Sequence, residues 1–270
     1  MQDLCPGGSL VSHVKKMTDK EMFLAVAEIL LGLLSLHEQG IIHHDIKPEN
    51  ILIDSQGHCA IADFGMAKIA DNQELQMTAR SAPGGTLEYS APEILTSCGC
   101  MVYWDHGVDY WALGATIFRL QTGKNFSDYR DLGWKKELLS PDVEKSMVAS
   151  RAPTTLTEFV QKLTYFDKTR RWKGPRVKEA TYFDVLSGPG WHEMQSKQYA
   201  PLRAVQPVAL QSDRSSMIRA RVRAEESEQG AALPELIEAL RAEQVQMREQ
   251  AYDVFMPGIH FQPREEYVYP

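Results

Sequence analysis

The sequence is poor in the features that mark secreted, membrane-spanning or metal-stapled proteins. It has four cysteines in 270 residues, at positions 5, 59, 98 and 100. Cys98 and Cys100 form a C-x-C pair with no second pair or histidine cluster nearby, so a zinc site and a disulfide framework are both disfavoured. Free thiols in a reducing compartment, cytoplasm or nucleus, are the expectation. The N-terminal stretch MQDLCPGGSL has no basic region followed by an apolar run, which speaks against a signal peptide. The longest apolar stretch, Ile29 to Leu36, is broken by Gly32 and Ser35 and is too short to span a bilayer. Net positive charge is lacking too: 36 acidic residues oppose 29 lysines and arginines, for a formal net charge of -7. That balance argues against a surface built to neutralise nucleic-acid phosphates. It leaves room for a small phosphate ligand, because a local site can oppose the global charge.

What is present is ordinary globular material. The hydrophobic share is 43% and the charged share 24%, enough for a sizeable core in one large domain or one domain with an extension. Thr18-Asp19-Lys20-Glu21 has the form of a capping box, and the Leu- and Ala-rich stretch after it runs to Gly40, a helix stop. Ile51-Leu52-Ile53 and Cys59-Ala60-Ile61-Ala62 flank a polar turn, Asp54 to His58, and predict a hairpin. From Ala67 to Ser90 no periodicity persists, which predicts a long irregular segment of the kind that is functional or mobile. Val108 to Leu120 predicts a second buried helix. Thr155-Leu156-Thr157-Glu158 reads as another capping box, opening a helix with Phe159, Val160 and Leu163 on its apolar side. Composition shifts near Ser187-Gly188-Pro189-Gly190, and Pro234 is placed to begin a helix running through Leu236, Leu240, Met247 and Ala251.

The chemistry is concentrated in His43-His44-Asp45-Ile46-Lys47-Pro48-Glu49-Asn50, where a carboxylate, an amine and a carboxamide share one loop. Thirteen residues after Asn50 comes Asp63-Phe64-Gly65. Downstream lie Gly85-Thr86-Leu87-Glu88-Tyr89-Ser90-Ala91-Pro92-Glu93, then Asp109-Tyr110-Trp111-Ala112-Leu113-Gly114, then Arg171 after Asp167. Any one string could arise by chance; five in this order do not. Together they resemble the eukaryotic-type protein kinases, whose catalytic loop reads H-R-D-x-x-x-x-N and whose metal loop reads D-F-G. Lys47 and Gly85-Thr86 are similar to the Ser/Thr branch. The stretches Gly57-His58, Ile61 to Gly65 and Gly85 to Tyr89 are similar to the AGC group.

The resemblance implies a mainly α fold, a protein-kinase-like C-lobe with a small β-hairpin, and a Mg-ATP-dependent transfer of phosphate to protein hydroxyls. Because phosphoryl transfer has a loose transition state, positioning and charge neutralisation are most of the catalysis. The resemblance gives Asp45, Lys47 and Thr86 the catalytic roles. Asp45 would orient the substrate hydroxyl, Lys47 would steady the phosphate, and Thr86 would bridge the two. It gives Asn50 and Asp63 the metal, since Mg²⁺ prefers hard oxygen donors. Nucleotide contacts fall on Asp3, Cys5, Glu49, Asn50, Leu52 and Asp63, with Cys5 offering backbone to adenine and Leu52 as its floor. His43 is expected to pack beneath Phe64, Asp109 to anchor the loop backbone, and Arg171 to pair with Glu93. Residues 1–10 resemble the hinge between two lobes, 11–186 the C-lobe, and 187–270 an extension, partly helical and partly disordered. The helix after Pro234 is a possible partner surface, although its alternating Glu and Arg also suit a solvated face.

Three departures matter. No G-x-G-x-x-G loop and no strand lysine with its helix glutamate precede residue 40. The expectation is therefore a chain whose N-lobe is missing and whose activity, as it stands, is low. His44 replaces the usual arginine, and Ala82 falls where the family's activation-segment phosphothreonine would stand, so that phosphate switch is not expected; Thr78 and Ser81 are the other hydroxyls nearby. Ser9 and Arg119 fall where related kinases often carry glutamate, which puts a preference for basic substrates in doubt although Glu49 keeps one acid. The alternative reading is a catalytically dead binding or scaffold module. A small-molecule phosphotransferase shares the loop chemistry but not the Gly85–Glu93 and Asp109–Gly114 elements.

Overall fold

The computed structural model describes residues 5–70, 76–79, 85–95, 102–129, 141–186 and 190–197. All belong to the first of the chain's two compact units, Met1–Ser227. Asp3, Ser81, Ala82, Cys98, Cys100 and the helix after Pro234 lie outside the described residues, as does the side chain of Thr78.

After a 3₁₀ turn at Leu10–His13, helix α1 covers Asp19–Glu38. Its start is the capping box that the sequence announces: Thr18 Oγ1 accepts from the Glu21 amide at 3.2 Å, and Glu21 accepts from the Thr18 amide at 2.7 Å. From Met22 to Leu36 a single charged residue, Glu28, interrupts the apolar sequence, and most of that run is buried. Strand β1 (Ile41–Ile42) follows, then β2 (Ile51–Ile53) and β3 (Cys59–Ile61), which pair antiparallel with Ile51 opposite Ile61 and Ile53 opposite Cys59. Asp54 forms the turn between them, its Oδ1 accepting from the amides of Gln56 at 2.8 Å and His58 at 2.9 Å. This is the side-chain turn chemistry expected of Asp.

The stretch expected to be irregular contains two short strands. Strand β4 (Lys68–Ile69) pairs with β1, and β5 (Gln76–Ala79) pairs with β6 (Val102–Asp105) after the short helix α2 (Pro92–Leu95). Two- and four-residue strands with distant partners carry too little local periodicity to be read from sequence. Helix α3 (Gly107–Thr122) is almost wholly buried. It is followed by a 3₁₀ turn at Phe126–Tyr129, α4 (Pro141–Ala149) and α5 (Thr154–Leu163).

The second expected capping box is not formed. Pro153 is the N-cap of α5, with no side-chain cap, and Thr155 lies inside the helix. Pro153 has no amide to satisfy, and its extended ψ of 142° already turns the chain into the helix. The apolar face is as expected, with Leu156, Phe159, Val160 and Leu163 all buried. It packs on α3 at close range: a Cβ on Gly114 would lie 2.5 Å from Thr164 Cγ2 and 3.2 Å from Leu163 Cβ. Two 3₁₀ turns, Gly174–Glu179 and Thr181–Leu186, then lead to α6 (Gly190–Gln195). Phe23, Phe159, Tyr182, Phe183 and Trp191 form one aromatic cluster that joins α1, α5 and α6. The described residues are thus mainly helical, with three two-stranded sheets. None of their helices is long and apolar enough to cross a membrane.

Candidate active site

The site is built outward from a buried carboxylate. Asp109, fully buried in the first turn of α3, accepts from the His43 amide through Oδ2 and from the His44 amide through Oδ1, both at 2.8 Å. His37, in the last turn of α1, bonds Asp109 Oδ2 through Nε2 at 2.9 Å and the Tyr110 hydroxyl through Nδ1 at 3.2 Å. An ionised carboxylate only accepts, so Nε2 carries the proton shared with Asp109. Burial alone would raise the Asp109 pKa, but the hydrogen bond from His37 and then the interactions with His37, His43 and His44 outweigh it, and it sits at about 2. Asp109 therefore remains charged and fixes the backbone entering the 43–50 loop.

Within that loop His43 is held at both ring nitrogens. Nε2 donates to the Ala62 carbonyl at 3.1 Å, Nδ1 accepts from the Asp45 amide at 3.3 Å, and the ring packs edge-on to Phe64 with centroids 5.0 Å apart. Burial lowers its pKa, which suits a neutral imidazole that uses one nitrogen as donor and the other as acceptor. His44 takes a left-handed backbone, φ 69°, rare for a residue with a Cβ. Burial, with Lys68 and His43 adding to it against Asp109, takes its pKa down to about 4.

Asp45, Lys47, Thr86 and Asn50 come together as one hydrogen-bonded group. The Asp45 carboxylate accepts from Lys47 Nζ at 2.7 Å and Asn50 Nδ2 at 2.9 Å on Oδ2. On Oδ1 it accepts from the Thr86 amide at 3.0 Å and the Thr86 hydroxyl at 2.8 Å. Lys47 Nζ also donates to Thr86 Oγ1 at 2.6 Å, closing a triangle. Lysine has donors only, so the single Thr86 proton goes to Asp45. Burial by itself would raise the Asp45 pKa; the bonds from Lys47 and Thr86 outweigh it and hold the carboxyl below its ordinary range.

Thr86 reaches the loop because Gly85 precedes it. A Cβ at Gly85 would lie 2.8 Å from the His44 carbonyl oxygen, and its φ is 122°, a region that residues with side chains avoid. Glycine is thus what lets the two segments touch.

Asn50 and Asp63 flank the β2–β3 hairpin, and the Ala62 amide donates to the Asn50 carbonyl at 2.8 Å, drawing the hairpin's two ends together. Asn50 spends its amide protons on Asp45, on the main-chain carbonyl at 2.8 Å and on the carboxylate at 2.9 Å, so its carboxamide oxygen is not used in these bonds. Asp63 has φ 63° and accepts from the Gly65 amide at 3.3 Å. One amide oxygen and one carboxylate fit Mg²⁺, which takes few protein ligands and completes its shell with water and phosphate. No cluster of three His, Cys, Asp or Glu able to hold a metal by itself occurs among the described residues.

Residues 7–9 lie along β2. The Gly7 amide donates to the Ile53 carbonyl at 3.1 Å, the Ile53 amide to the Gly8 carbonyl at 2.8 Å, and Ser9 bridges Leu52. This brings the segment bearing Cys5 to the half-buried Leu52. Glu49 is exposed. Glu49, Glu88, Arg119 and Asp45 all act on the Tyr89 phenol, whose pKa is raised by burial first and then by Glu49, with Arg119 opposing.

Arg171 and Glu93 form the expected pair, bidentate at 2.6 and 2.9 Å. Arg171 also donates to the carbonyls of Gly107 at 3.1 Å and Tyr165 at 3.2 and 3.3 Å, so all five guanidinium N–H groups are used.

The sequence reading missed the groups that hold the hairpin turn. Glu28 bonds His58 Nδ1 at 2.7 Å and the Cys59 amide at 2.5 Å, and Lys197 reaches Asp54 Oδ2 at 3.4 Å. A lone carboxylate in the apolar stretch of α1 was the available signal for Glu28. For Lys197, beyond the last aromatic cluster, there was none.

With this geometry in place, comparisons with known proteins agree with one another. The model of the protein kinase domain family matches residues 1–183. A probable serine/threonine-protein kinase of Dictyostelium discoideum is 30% identical over 208 residues, 74% of this chain and 43% of that protein. Ribosomal protein S6 kinase 2 beta of Xenopus laevis is 39% identical over 124 residues, 45% of this chain and 19% of that protein. The cAMP-dependent protein kinase catalytic subunit of Dictyostelium discoideum is 42% identical over 122 residues, 43% of this chain and 17% of that protein. The chain spans less than half the length of these relatives. The loop held by Asp109, the group around Asp45 and the matched span agree: the chain belongs to the protein kinase domain family, among the serine/threonine kinases of AGC type.

Proposed function

We propose that this chain carries the phosphate-transfer and substrate face of an ATP- and Mg²⁺-dependent Ser/Thr protein kinase. The observation that carries the reading is the closed Asp45–Lys47–Thr86 triangle, with edges of 2.7, 2.6 and 2.8 Å. An ionised Asp45 orients a serine or threonine hydroxyl and draws its proton as the terminal phosphoryl group of ATP passes to that oxygen and ADP leaves, the substrate taking over the bond that Thr86 now donates. Lys47, freed from part of its pairing, offsets charge on the transferring group, and Asn50 keeps the carboxylate aimed. The Asn50 carboxamide oxygen and the Asp63 carboxylate are the residues to hold Mg²⁺. Bound there, the metal would neutralise phosphate charge and fix the phosphate oxygens. Cys5 backbone and Leu52 take the adenine side, with Asp3 and Glu49 as further nucleotide contacts. Residues 1–10 act as the hinge, 11–186 as the lobe and 187–270 as an extension, in a protein of the cytoplasm or nucleus.

These 270 residues contain neither a Gly-rich phosphate loop nor its strand lysine ahead of residue 40. A phosphate site open to water loses electrostatic leverage, so phosphate transfer by these residues alone is slow. The same observation favours a second reading, a binding module that keeps the substrate surface without turnover.

The test is transfer of labelled phosphate from ATP to a degenerate Ser/Thr peptide mixture. It compares the 270-residue chain, the same chain joined to a kinase N-lobe, and the joined form carrying Asp45→Asn. The joined form should exceed the chain alone by about 100-fold or more, an effect on the scale of lost electrostatic positioning, and Asp45→Asn should abolish the gain. Fast Asp45-dependent transfer by the chain alone overturns the low-activity reading. No transfer by the joined form favours the binding module.

A further inference from the structure

Between residues 162 and 178 this acidic chain carries seven lysines and arginines and one acid, Asp167. Two of the cations are consumed inside the fold, Arg171 by Glu93 and Lys173 by Asp105 at 2.6 Å. Four others have no carboxylate partner among the described residues: Lys162, Arg170, Arg176 and Lys178. Glu158, one turn before Lys162 on α5, and Glu179, beside Lys178, make no ion pair with them.

Each of the four is instead laid on an aromatic face. Lys162 Nζ is 4.3 Å and Arg176 4.7 Å from the centroid of the same ring, Trp172. Arg170 lies 4.8 Å from the Tyr165 ring and Lys178 5.2 Å from the Trp191 ring. Arg170 and Arg176 are exposed, and Lys162 and Lys178 half-buried. A ring quadrupole attracts a cation and limits its rotamers without cancelling its charge. The result is a set of ring-held cations that make no ion pair among the described residues, two of them sharing one indole, with Arg170 also in the field of Asp167.

We propose that this Trp172-centred surface docks an acidic peptide segment of a protein partner. Charge complementarity selects an anion, and arginine forks match carboxylates in bidentate geometry. A protein segment is favoured over the other polyanions on two grounds. The chain's formal charge of -7 repels an extended nucleic acid or an anionic bilayer over a long path, whereas a short acidic peptide meets mainly the local cations. The Trp172 ring is also already engaged by Lys162 and Arg176, so it is not offered for stacking on bases or for insertion among lipid chains. The surface shares no residue with the group around Asp45, so the proposal stands independently of phosphate transfer.

The probe is a fluorescently labelled decapeptide of alternating Glu and Asp, titrated by anisotropy with the full 270-residue chain. Lys162→Gln/Arg176→Gln should weaken binding by about tenfold or more, as loss of charge-assisted bonds predicts. Lys162→Arg/Arg176→Lys, which keeps both charges, should retain it. Arg170→Gln, a change at an exposed position, should weaken binding less with no change in the melting temperature, separating docking from folding. Raising salt should weaken the wild-type complex. No binding of the decapeptide at low salt overturns the proposal. So does equal binding by the charge-removing pair, or tighter binding of a 20-nucleotide single strand or of phosphatidylserine vesicles than of the peptide.

Discussion

Asp109 bonds the amides of His43 and His44 with one carboxylate oxygen each, both at 2.8 Å, across 66 and 65 residues of sequence. A helix terminus thereby sets the backbone of a loop that begins only two residues before Asp45.

Replacing Asp109 by Asn tests that relationship. An amide has one accepting oxygen and no charge, so at least one buried loop N–H loses its acceptor and the remaining bonds lose their charged partner. The expected loss is about 2–4 kcal/mol, the scale of a buried donor left unsatisfied together with a charged hydrogen bond. Urea denaturation of the wild type and the variant measures it. A loss below about 0.5 kcal/mol, the scale of a surface change, would show that the loop does not depend on this anchor.

Stability should fall in two stages on acidification. His44 and His106 both have pKa values lowered to about 4 from 6.5, in each case by burial first. A depressed folded pKa means the unfolded chain binds protons first, so this contribution is intact above about pH 6.5 and is lost as the pH falls towards 4. Asp109, lowered to about 2 from 3.8, adds a second loss below about pH 4, complete only as the pH passes 2. Melting temperatures measured from pH 7 to 3 should therefore decline from about 6.5 downwards, and His106→Gln should flatten the upper part of the curve. A flat profile between pH 6.5 and 4.5 is the contrary result.

Arg171→Met should destabilise the fold by about 3–5 kcal/mol, because Glu93 would keep a largely buried charge with no partner. Arg171→Met/Glu93→Leu should recover much of that loss. If the double variant is as unstable as the single one, the guanidinium bonds to the Gly107 and Tyr165 carbonyls outweigh the ion pair.

Lys197 ties the segment after α6 to the hairpin turn through Asp54. Lys197→Met should speed hydrogen exchange in peptides spanning 51–62 while leaving α3 protected, and Lys197→Arg should restore slow exchange. Uniform acceleration throughout the described helices would mean that the contact supports the whole fold and not the hairpin alone.

Much of the fold was legible where the signal is local. The capping box at Thr18 and Glu21, the apolar run of α1 and the Asp54 turn each rest on residues a few positions apart, and each formed as expected. Thr155–Glu158 failed for an equally local reason: Pro153 already turns the chain into α5 and leaves no amide there to cap. The strands inside the stretch expected to be irregular were not legible, since β4 and β5 exist only through partners at Ile41–Ile42 and Val102–Asp105.

For the site, the sequence by itself determined the chemical inventory: Asp45, Lys47, Asn50, Asp63 and Thr86 in fixed order, with Asp109, Glu93 and Arg171 behind them. Types and spacing suffice for that, because the groups are strung along one chain with motif separations. Only the tertiary structure decided how they meet. It closed the Asp45–Lys47–Thr86 triangle over 39 and 41 residues, let Gly85 approach the His44 carbonyl, and brought Glu28 and Lys197 to the hairpin turn. It also laid Lys162 and Arg176 on one indole. The physical reason is that hydrogen bonds and ring contacts of this kind depend on distances of a few ångströms, which sequence separation does not encode and a packed core does.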